Sequence, residues 1–202
     1  PISANGYLID QFLRDNSNFR DDIYGGSIEN RVRLLREVTQ AVVDAIGADR
    51  VSVRLSPNGD TQGVNDSNPE PLFAAAADVL NQIGIAFLEL REIAPNGTFG
   101  STDVPKLSPE IRKVFKGPLI LNQDYSRDAA QADLDSGVAD GIAFGRKFIA
   151  NPDLVERFRR LLDGHVGEQK RPRVTHDVGK VRRLATILGR TRMGLRHEDD
   201  PA

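Results

Sequence analysis

The fold class is indicated most clearly by the stretch Val138-Ala139-Asp140-Gly141-Ile142-Ala143-Phe144-Gly145-Arg146. Its short apolar run with small residues is typical of a buried parallel strand, and Gly145-Arg146 then falls at the carboxyl end of that strand. Glycine lets a ligand approach the backbone closely, while free amides and a guanidinium group bind a dianionic phosphate. In an α/β barrel, the loops after the last two strands are the usual phosphate site. For this pair alone, a strand that ends in glycine beside a surface arginine is the alternative.

Four strand-then-helix units follow one another at a spacing of about 30 to 40 residues, which is typical of parallel βα units. The predicted strands cover residues 51–55, 86–90, 118–121 and 141–144. Because the active face of such a fold lies at the carboxyl ends of its strands, the polar residues there should converge. These residues are Arg54, Glu89 to Arg91, Asn122 to Asp124, and Gly145-Arg146.

Helix signals lie between the strands. Ser27 is a good N-cap for one long helix that ends at Gly47, and Ser108 can cap a short helix that starts at Pro109. Apolar residues at helical spacing predict a helix soon after Asn5-Gly6-Tyr7, but no complete strand is predicted before it. The long polar loop over residues 56–69 is typical of a functional lid.

The composition is that of a globular protein without covalent cross-links. The 202 residues are 39% hydrophobic and 28% charged, with a formal net charge of −2. The chain has no cysteine, which excludes disulfides, thiolate metal ligands and a cysteine nucleophile. Because no apolar run approaches the roughly 20 residues of a membrane span, we expect no membrane partner and a cytoplasmic location.

The charge changes near Arg159. Residues 159–202 hold 11 of the 27 basic residues but only 6 of the 29 acidic ones. No aromatic residue that could stack on bases follows Phe158, so nucleic-acid binding is not expected. The sequence therefore predicts an α/β domain over residues 1–160 and a basic, poorly ordered tail of unknown role over residues 161–202.

Several long motifs in a fixed order resemble the Old Yellow Enzyme family of FMN-dependent ene-reductases, in particular its N-ethylmaleimide reductase-like members. The resemblance covers residues 2 to about 158 of this chain. The motifs are Ala4-Asn5-Gly6-Tyr7-Leu8-Ile9-Asp10-Gln11-Phe12-Leu13, Asn18-Phe19-Arg20-Asp21-Asp22-Ile23-Tyr24-Gly25-Gly26-Ser27-Ile28-Glu29-Asn30-Arg31, Val53-Arg54-Leu55-Ser56-Pro57, and Ala143-Phe144-Gly145-Arg146 with Phe148-Ile149-Ala150-Asn151-Pro152-Asp153-Leu154.

The resemblance implies a TIM-type βα barrel that binds FMN noncovalently at its carboxyl face. In this family NADH or NADPH reduces the flavin, which passes hydride to the β-carbon of an α,β-unsaturated carbonyl compound while a tyrosine delivers a proton to the α-carbon. The expected cofactors are thus FMN and NAD(P)H. The expected small-molecule partner is an activated alkene.

The resemblance also assigns roles to individual residues. Arg54 would lie beside the N1–C2 carbonyl edge of the flavin and favour its anionic hydroquinone; an ion pair with Glu89 is the alternative. Gly145 and Arg146, with backbone amides around Asn122-Gln123, would hold the phosphate. Asn5 would donate a hydrogen bond to the substrate carbonyl, and Tyr7 would be the proton donor; alone, Asn5-Gly6 reads as a turn and Tyr7 as a packing residue. No metal ligands are expected, and Tyr24-Gly25-Gly26-Ser27 is assigned to structure.

Three departures from the family pattern shape the functional expectation. The family's second carbonyl donor, a His or Asn three positions before Asn5, is Ile2 here, the family's first four strands have no counterpart, and the tail does not resemble the usual ending. About four βα units cannot close a barrel, so the chain is identified as the carboxyl-terminal half of one. We therefore expect self-association or a complementing half-barrel, and an impaired or inactive isolated chain. The alternatives are a non-catalytic phosphate- or FMN-binding half-barrel and a truncated non-functional product.

Overall fold

The computed structural model describes residues 1–60, 62–95, 97 and 100–162, with side chains up to Phe158. The chain divides into two units, Pro1–Asp124 and a second that begins at Tyr125. The predicted basic tail, residues 161–202, lies outside the described residues except for the end of the last helix. Its boundary at residue 160 and its disorder therefore stay predictions.

A parallel sheet organises the first unit. Its strands are β1 (Ile2–Ala4), β2 (Ser52–Leu55), β3 (Phe87–Arg91) and β4 (Leu119–Asn122), which pair in chain order. The register places Ser3 opposite Arg54, Arg54 opposite Glu89, and Arg91 opposite Asn122. Parallel strands that alternate with helices confirm the predicted α/β class.

The two faces of this sheet differ because successive side chains of a strand point to opposite sides. One face is apolar and fully buried, and consists of Val53, Leu55, Leu88, Leu90, Leu119 and Leu121. The opposite face is half-buried and mostly polar, and includes Arg54, Glu89, Arg91, Ile120 and Asn122. The polar residues of the sheet, which are the ones able to bind a ligand, thus lie on the face opposite the apolar core.

Helices connect the strands of the first unit. They are α1 (Leu8–Leu13), α2 (Ile28–Arg31), α3 (Arg33–Ile46), α4 (Pro69–Ile83) and α5 (Ser108–Val114), with a 3-10 turn at Ala48–Arg50. Helix α4 buries its apolar side, which includes Leu72, Phe73 and Leu80. Among the residues that the structure describes, no helix combines the length and apolar character that a bilayer crossing requires.

The second unit contains one short strand and three helices within its described part. These are α6 (Arg127–Asp135), β5 (Gly141–Ala143), α7 (Arg146–Ala150) and α8 (Leu154–Leu162). Ser126 caps α6 by accepting the Ala129 N–H. The ring of Phe144 packs on that of Phe158 at 5.5 Å between centroids, which joins the end of β5 to α8.

The structure corrects three of the local predictions. Strand β1 exists although no strand was predicted there, because three residues are too few to show a period and their pairing with β2 is a tertiary contact. The helix capped by Ser27 is divided at Val32 into α2 and α3. Helix α7 was not predicted.

The start of α5 is a further correction. Ser108 lies inside the helix and is not its cap. The buried carboxylate of Glu92 instead accepts the N–H groups of Leu107 and Ser108, at 2.6 and 2.8 Å. A side chain distant in sequence thus supplies the acceptor that a capping serine would otherwise supply.

The glycine turn before α2 confirms its structural assignment. A Cβ on Gly25 would lie 2.1 Å from the carbonyl oxygen of Arg20, and Gly26 has a φ of +78°. Ser27 accepts the N–H of Asn30 and so caps α2 as predicted. The close approach at Gly25 and the Ser27 cap thus give these residues the turn and capping roles that the sequence predicts.

Candidate active site

Arg54 is the centre of the polar face of the sheet. Its Nη2 donates to Oδ1 of Asn122 at 2.9 Å, and its Nε lies 3.6 Å from Oε1 of Glu89. The alternative partner considered from the sequence, Glu89, is therefore present. It does not satisfy the guanidinium, because the Nε–Oε1 distance exceeds that of a hydrogen bond.

A second guanidinium group lies beside Arg54. The Nε of Arg91 donates to Oε1 of Gln123 at 2.8 Å. Burial, and secondly the charge of Arg54, lower the pKa of Arg91 below its usual range. Two guanidinium groups thus lie on this face, with the carboxylates of Glu89 and Asp124 near them.

Two buried donors on this face have no hydrogen-bond acceptor within the described part of the chain. They are Nε of Arg54 and Nε2 of Gln123. Gln123 and Asp124 also have positive φ values of 101° and 52°, a backbone conformation that is uncommon outside glycine and is enriched at functional sites. The flavin ring of FMN presents carbonyl and ring-nitrogen acceptors, so the donor set fits this cofactor.

Asn5 follows β1 at the same sheet edge at which Ser56 follows β2. The hydroxyl of Ser56 donates to Oδ1 of Asn5. This bond occupies the amide oxygen and orients the side chain, so the amide nitrogen is the end left to donate elsewhere. The geometry agrees with the role that the resemblance implies for Asn5.

The phenol of Tyr7 is accessible, because 57% of the residue surface is exposed. Its hydroxyl oxygen accepts a 3.1 Å hydrogen bond from Nε2 of Gln62. An exposed, hydrogen-bonded phenol can transfer a proton to a bound molecule. Ile2, which is paired with Val53 in the sheet, has an aliphatic side chain that can donate neither a proton nor a hydrogen bond.

The loop after β2 is anchored at both ends. Near its start, the buried amide of Asn58 bonds both backbone groups of Ile93, at 2.9 Å each. Near its end, the carboxylate of Asp66 accepts from Nη1 of Arg31 at 2.5 Å and from the N–H of Asp15 at 2.9 Å. Because both ends of the loop are held, the predicted lid role stays a prediction that concerns the middle of the loop, around Gln62.

Gly145 and Arg146 belong to the second unit. Gly145 precedes α7, and a Cβ added there would meet no described atom within 4 Å. Arg146 is exposed, and the neighbouring Lys147 donates from Nζ to the Tyr125 carbonyl at 2.7 Å. Open space beside the backbone and two cations suit a phosphate, but joint binding with Asn122 and Gln123 stays a prediction.

The structure thus brings Arg54, Asn122 and Gln123 together and places Asn5 and Tyr7 on the turn after β1. Two neighbouring residues, Ser56 and Gln62, had no role assigned from the sequence, and Arg91 was placed among the converging polar residues without a role of its own. Arg91 lies two residues after Glu89, and this spacing predicts that both side chains lie on the same face of β3. Among the described residues, no cluster of His, Asp and Glu could hold a metal ion.

This chain is similar to known flavin oxidoreductases. The family model for the NADH:flavin oxidoreductase / NADH oxidase family matches residues 2–163. The chain is 43% identical over 169 residues to 12-oxophytodienoate reductase 7 of Oryza sativa subsp. japonica, covering 77% of this chain and 43% of that protein. It spans about half the length, or somewhat less, of the curated relatives it matches.

Solved structures show the same relationship. The Old Yellow Enzyme homologue from Zymomonas mobilis superposes with a TM-score of 0.77 at 58% identity, over 88% of this chain and 47% of that one. Morphinone reductase in complex with tetrahydroNAD gives 0.70 at 40% identity, over 83% and 44%. A probable flavin mononucleotide-dependent alkene reductase of Leishmania infantum is 43% identical to this chain over 156 residues, covering 76% of this chain and 41% of that protein. The chain belongs to the NADH:flavin oxidoreductase / NADH oxidase family, the family of Old Yellow Enzyme.

Proposed function

We propose that this chain provides the flavin-binding and substrate-binding residues of an ene-reductase, which transfers hydride from NAD(P)H by way of FMN to the C=C bond of an α,β-unsaturated carbonyl compound. The observation that carries the proposal is a pair of buried donors at the polar face of the sheet, Arg54 Nε and Gln123 Nε2, which have no hydrogen-bond acceptor among the described residues. Family membership supports it independently.

The residues of the polar face would hold the flavin. FMN, when bound, supplies the hydride chemistry. Arg54 would place its charge beside the ring edge that becomes negative on reduction, and Asn122 would keep the guanidinium in that position through their 2.9 Å bond. Gly145 and Arg146 would bind the phosphate.

The turn after β1 would bind and protonate the substrate. Asn5 would donate its amide N–H to the carbonyl oxygen, which draws electrons from the double bond. Tyr7 would deliver the proton to the α-carbon, and Gln62 Nε2 would stabilise the phenolate that forms. Because Ile2 adds no second donor, the transition state lacks an interaction worth roughly 2.7–4 kcal/mol at such sites.

A second candidate is an FMN- or phosphate-binding half-barrel without redox turnover. The aliphatic side chain of Ile2 favours this candidate, because it leaves the carbonyl with one donor. Since the chain spans about half the length of its relatives, we also propose that full activity requires either self-association or a complementing half-barrel.

The experiment is an FMN titration of the purified full chain, followed by flavin fluorescence and thermal melting. Arg146→Ala and Gly145→Val should each weaken binding and abolish the FMN-induced rise in Tm, because one removes a cation and the other fills the open space. NADPH and NADH oxidation with 2-cyclohexenone then distinguishes the candidates. FMN binding without oxidation supports the half-barrel, and absence of both FMN binding and oxidation contradicts both candidates.

A further inference from the structure

Asp10 on α1 and Arg14, the residue that follows this helix, form a fully buried ion pair to which the proposed function gives no role. The Nε of Arg14 donates to Oδ1 of Asp10 at 2.9 Å, and both side chains are completely buried. The guanidinium also stacks on the ring of Phe73 from α4, with Cζ 4.7 Å from the ring centroid. Apolar residues of similar size at such a position often leave a protein as stable or more stable. Stability alone therefore does not explain the pair.

The other hydrogen bonds of the pair run to the two segments that orient the carbonyl donor. The Oδ2 of Asp10 accepts the backbone N–H of Gly6, the residue next to Asn5, at 2.8 Å. The Nη2 of Arg14 donates to the backbone carbonyl of Ser56. Ser56 in turn donates from its hydroxyl to Oδ1 of Asn5. The hydrogen bonds and the Asn5–Gly6 peptide bond thus close a ring.

We propose that Asp10 and Arg14 are positioning residues, which fix the backbone of Gly6 after Asn5 and that of Ser56 beside it, so that the Asn5 amide N–H points at the carbonyl oxygen of a bound ketone or enone. The inference rests on the proposed function only in treating Asn5 as the carbonyl donor. A donor contributes most when its surroundings hold it in place before the ligand arrives. A buried, stacked ion pair provides a rigid support of this kind.

The test uses nitrogen-15 NMR of the full chain, with the Asn5 side-chain amide assigned by its loss in Asn5→Asp. The double variant Asp10→Leu/Arg14→Met removes the ring without leaving a lone buried charge. We expect a Tm at or above that of the parent, displaced Asn5 amide resonances, and a Kd for cyclohexanone about tenfold weaker. A purely structural pair would give the reverse: a lower Tm with the Asn5 resonances unchanged. That result overturns the inference.

A matched control comes from α8 and the residue before it. Asp153 and Arg157 have the same spacing and the same Nε–Oδ1 contact, at 2.8 Å, but are exposed. Asp153→Leu/Arg157→Met should leave the Asn5 resonances and the cyclohexanone Kd unchanged. Displaced Asn5 resonances in this control would contradict the assignment to the buried pair.

If the double variant does not fold, a single substitution of Arg14 tests the positioning role. Arg14→Lys keeps the charge opposite Asp10 but lacks the planar fork that reaches Ser56 as well. It should displace the Asn5 resonances in a folded chain, and unchanged resonances would overturn the inference. If cyclohexanone does not shift the Asn5 amide resonances of the parent chain, the proposed function is contradicted. The positioning role is then still tested by comparing these resonances between the ligand-free parent and the ligand-free variants.

Discussion

The guanidinium of Arg54 donates a 2.9 Å hydrogen bond to the side-chain oxygen of Asn122, although β3 lies between the strands that carry the two residues. The bond spans the polar face of the sheet and fixes the orientation of the guanidinium. The Nε of Arg54 is then buried without a hydrogen-bond acceptor in the described part of the chain. Such a donor is costly until a ligand supplies the acceptor.

Arg54→Met should therefore weaken FMN binding. A hydrogen bond to a charged group contributes about 1.5–3 kcal/mol, so the Kd should rise by roughly ten- to a hundredfold. Quenching of flavin fluorescence during titration measures it. The control is Arg50→Met, which removes an exposed arginine that precedes the same strand at its opposite end. Equal losses of affinity in both variants would show that total charge, and not the site, governs binding.

Asn58→Ala should destabilise the first unit. The fully buried Asn58 amide bonds both backbone groups of Ile93 and, at 3.3 Å, the carbonyl of Val104. Removing it leaves buried backbone groups unpaired, at about 1–3 kcal/mol for such a group. Urea unfolding followed by circular dichroism gives the loss. Asn16→Ala is the comparison, because its bond to Gly63 is exposed, and it should change the free energy of unfolding by less than about 1 kcal/mol.

Glu92 should make stability depend on pH. Burial raises its pKa above the ordinary 4.5, against the opposing effect of the hydrogen bonds from Ser108 and Leu107. The folded state therefore binds this proton more tightly than the unfolded chain does, so its contribution to stability is full below pH 4.5 and is lost as pH rises through the folded pKa.

Glu92→Gln removes this titration and keeps an oxygen that can accept from α5. Thermal melts between about pH 4 and pH 8 should show the Tm of the parent falling relative to that of the variant as pH rises. A parent Tm that rises relative to the variant would mean that the capping bonds outweigh burial. Glu92→Ala also loses the hydrogen-bond acceptor and should lower the free energy of unfolding by about 1–3 kcal/mol over this whole pH range.

The two adjacent glycines before α2 should respond differently to alanine. Gly25→Ala places a methyl group against the Arg20 carbonyl, which cannot move cheaply, and should cost about 3 kcal/mol or more. Gly26→Ala meets no described atom within 4 Å and should cost about 1–2 kcal/mol for its positive φ alone. Urea midpoints of both variants check the order. The reverse order would show that the turn relaxes around Gly25.

Local patterns were enough to predict the α/β class, the positions of strands β2 to β5 along the chain and the start of α2. Local signals were sufficient there, because a cap such as Ser27 acts on the next turn and the alternation Val53-Arg54-Leu55 assigns Arg54 to the face opposite the core. Family motifs pointed to Asn5, Tyr7 and Arg54 in the same way, through residues close together in the chain.

The existence of β1, the capping of α5 by Glu92 and the ring of hydrogen bonds at Asn5 could not be predicted from local patterns. Each depends on groups far apart in sequence: Arg14 meets the Ser56 carbonyl across 42 positions, and Ser56 meets Asn5 across 51. Such contacts follow from the register of parallel strands, which places the ends of β1 and β2 at one edge. No local periodicity or cap encodes that register, because it is set by the packing of the whole sheet.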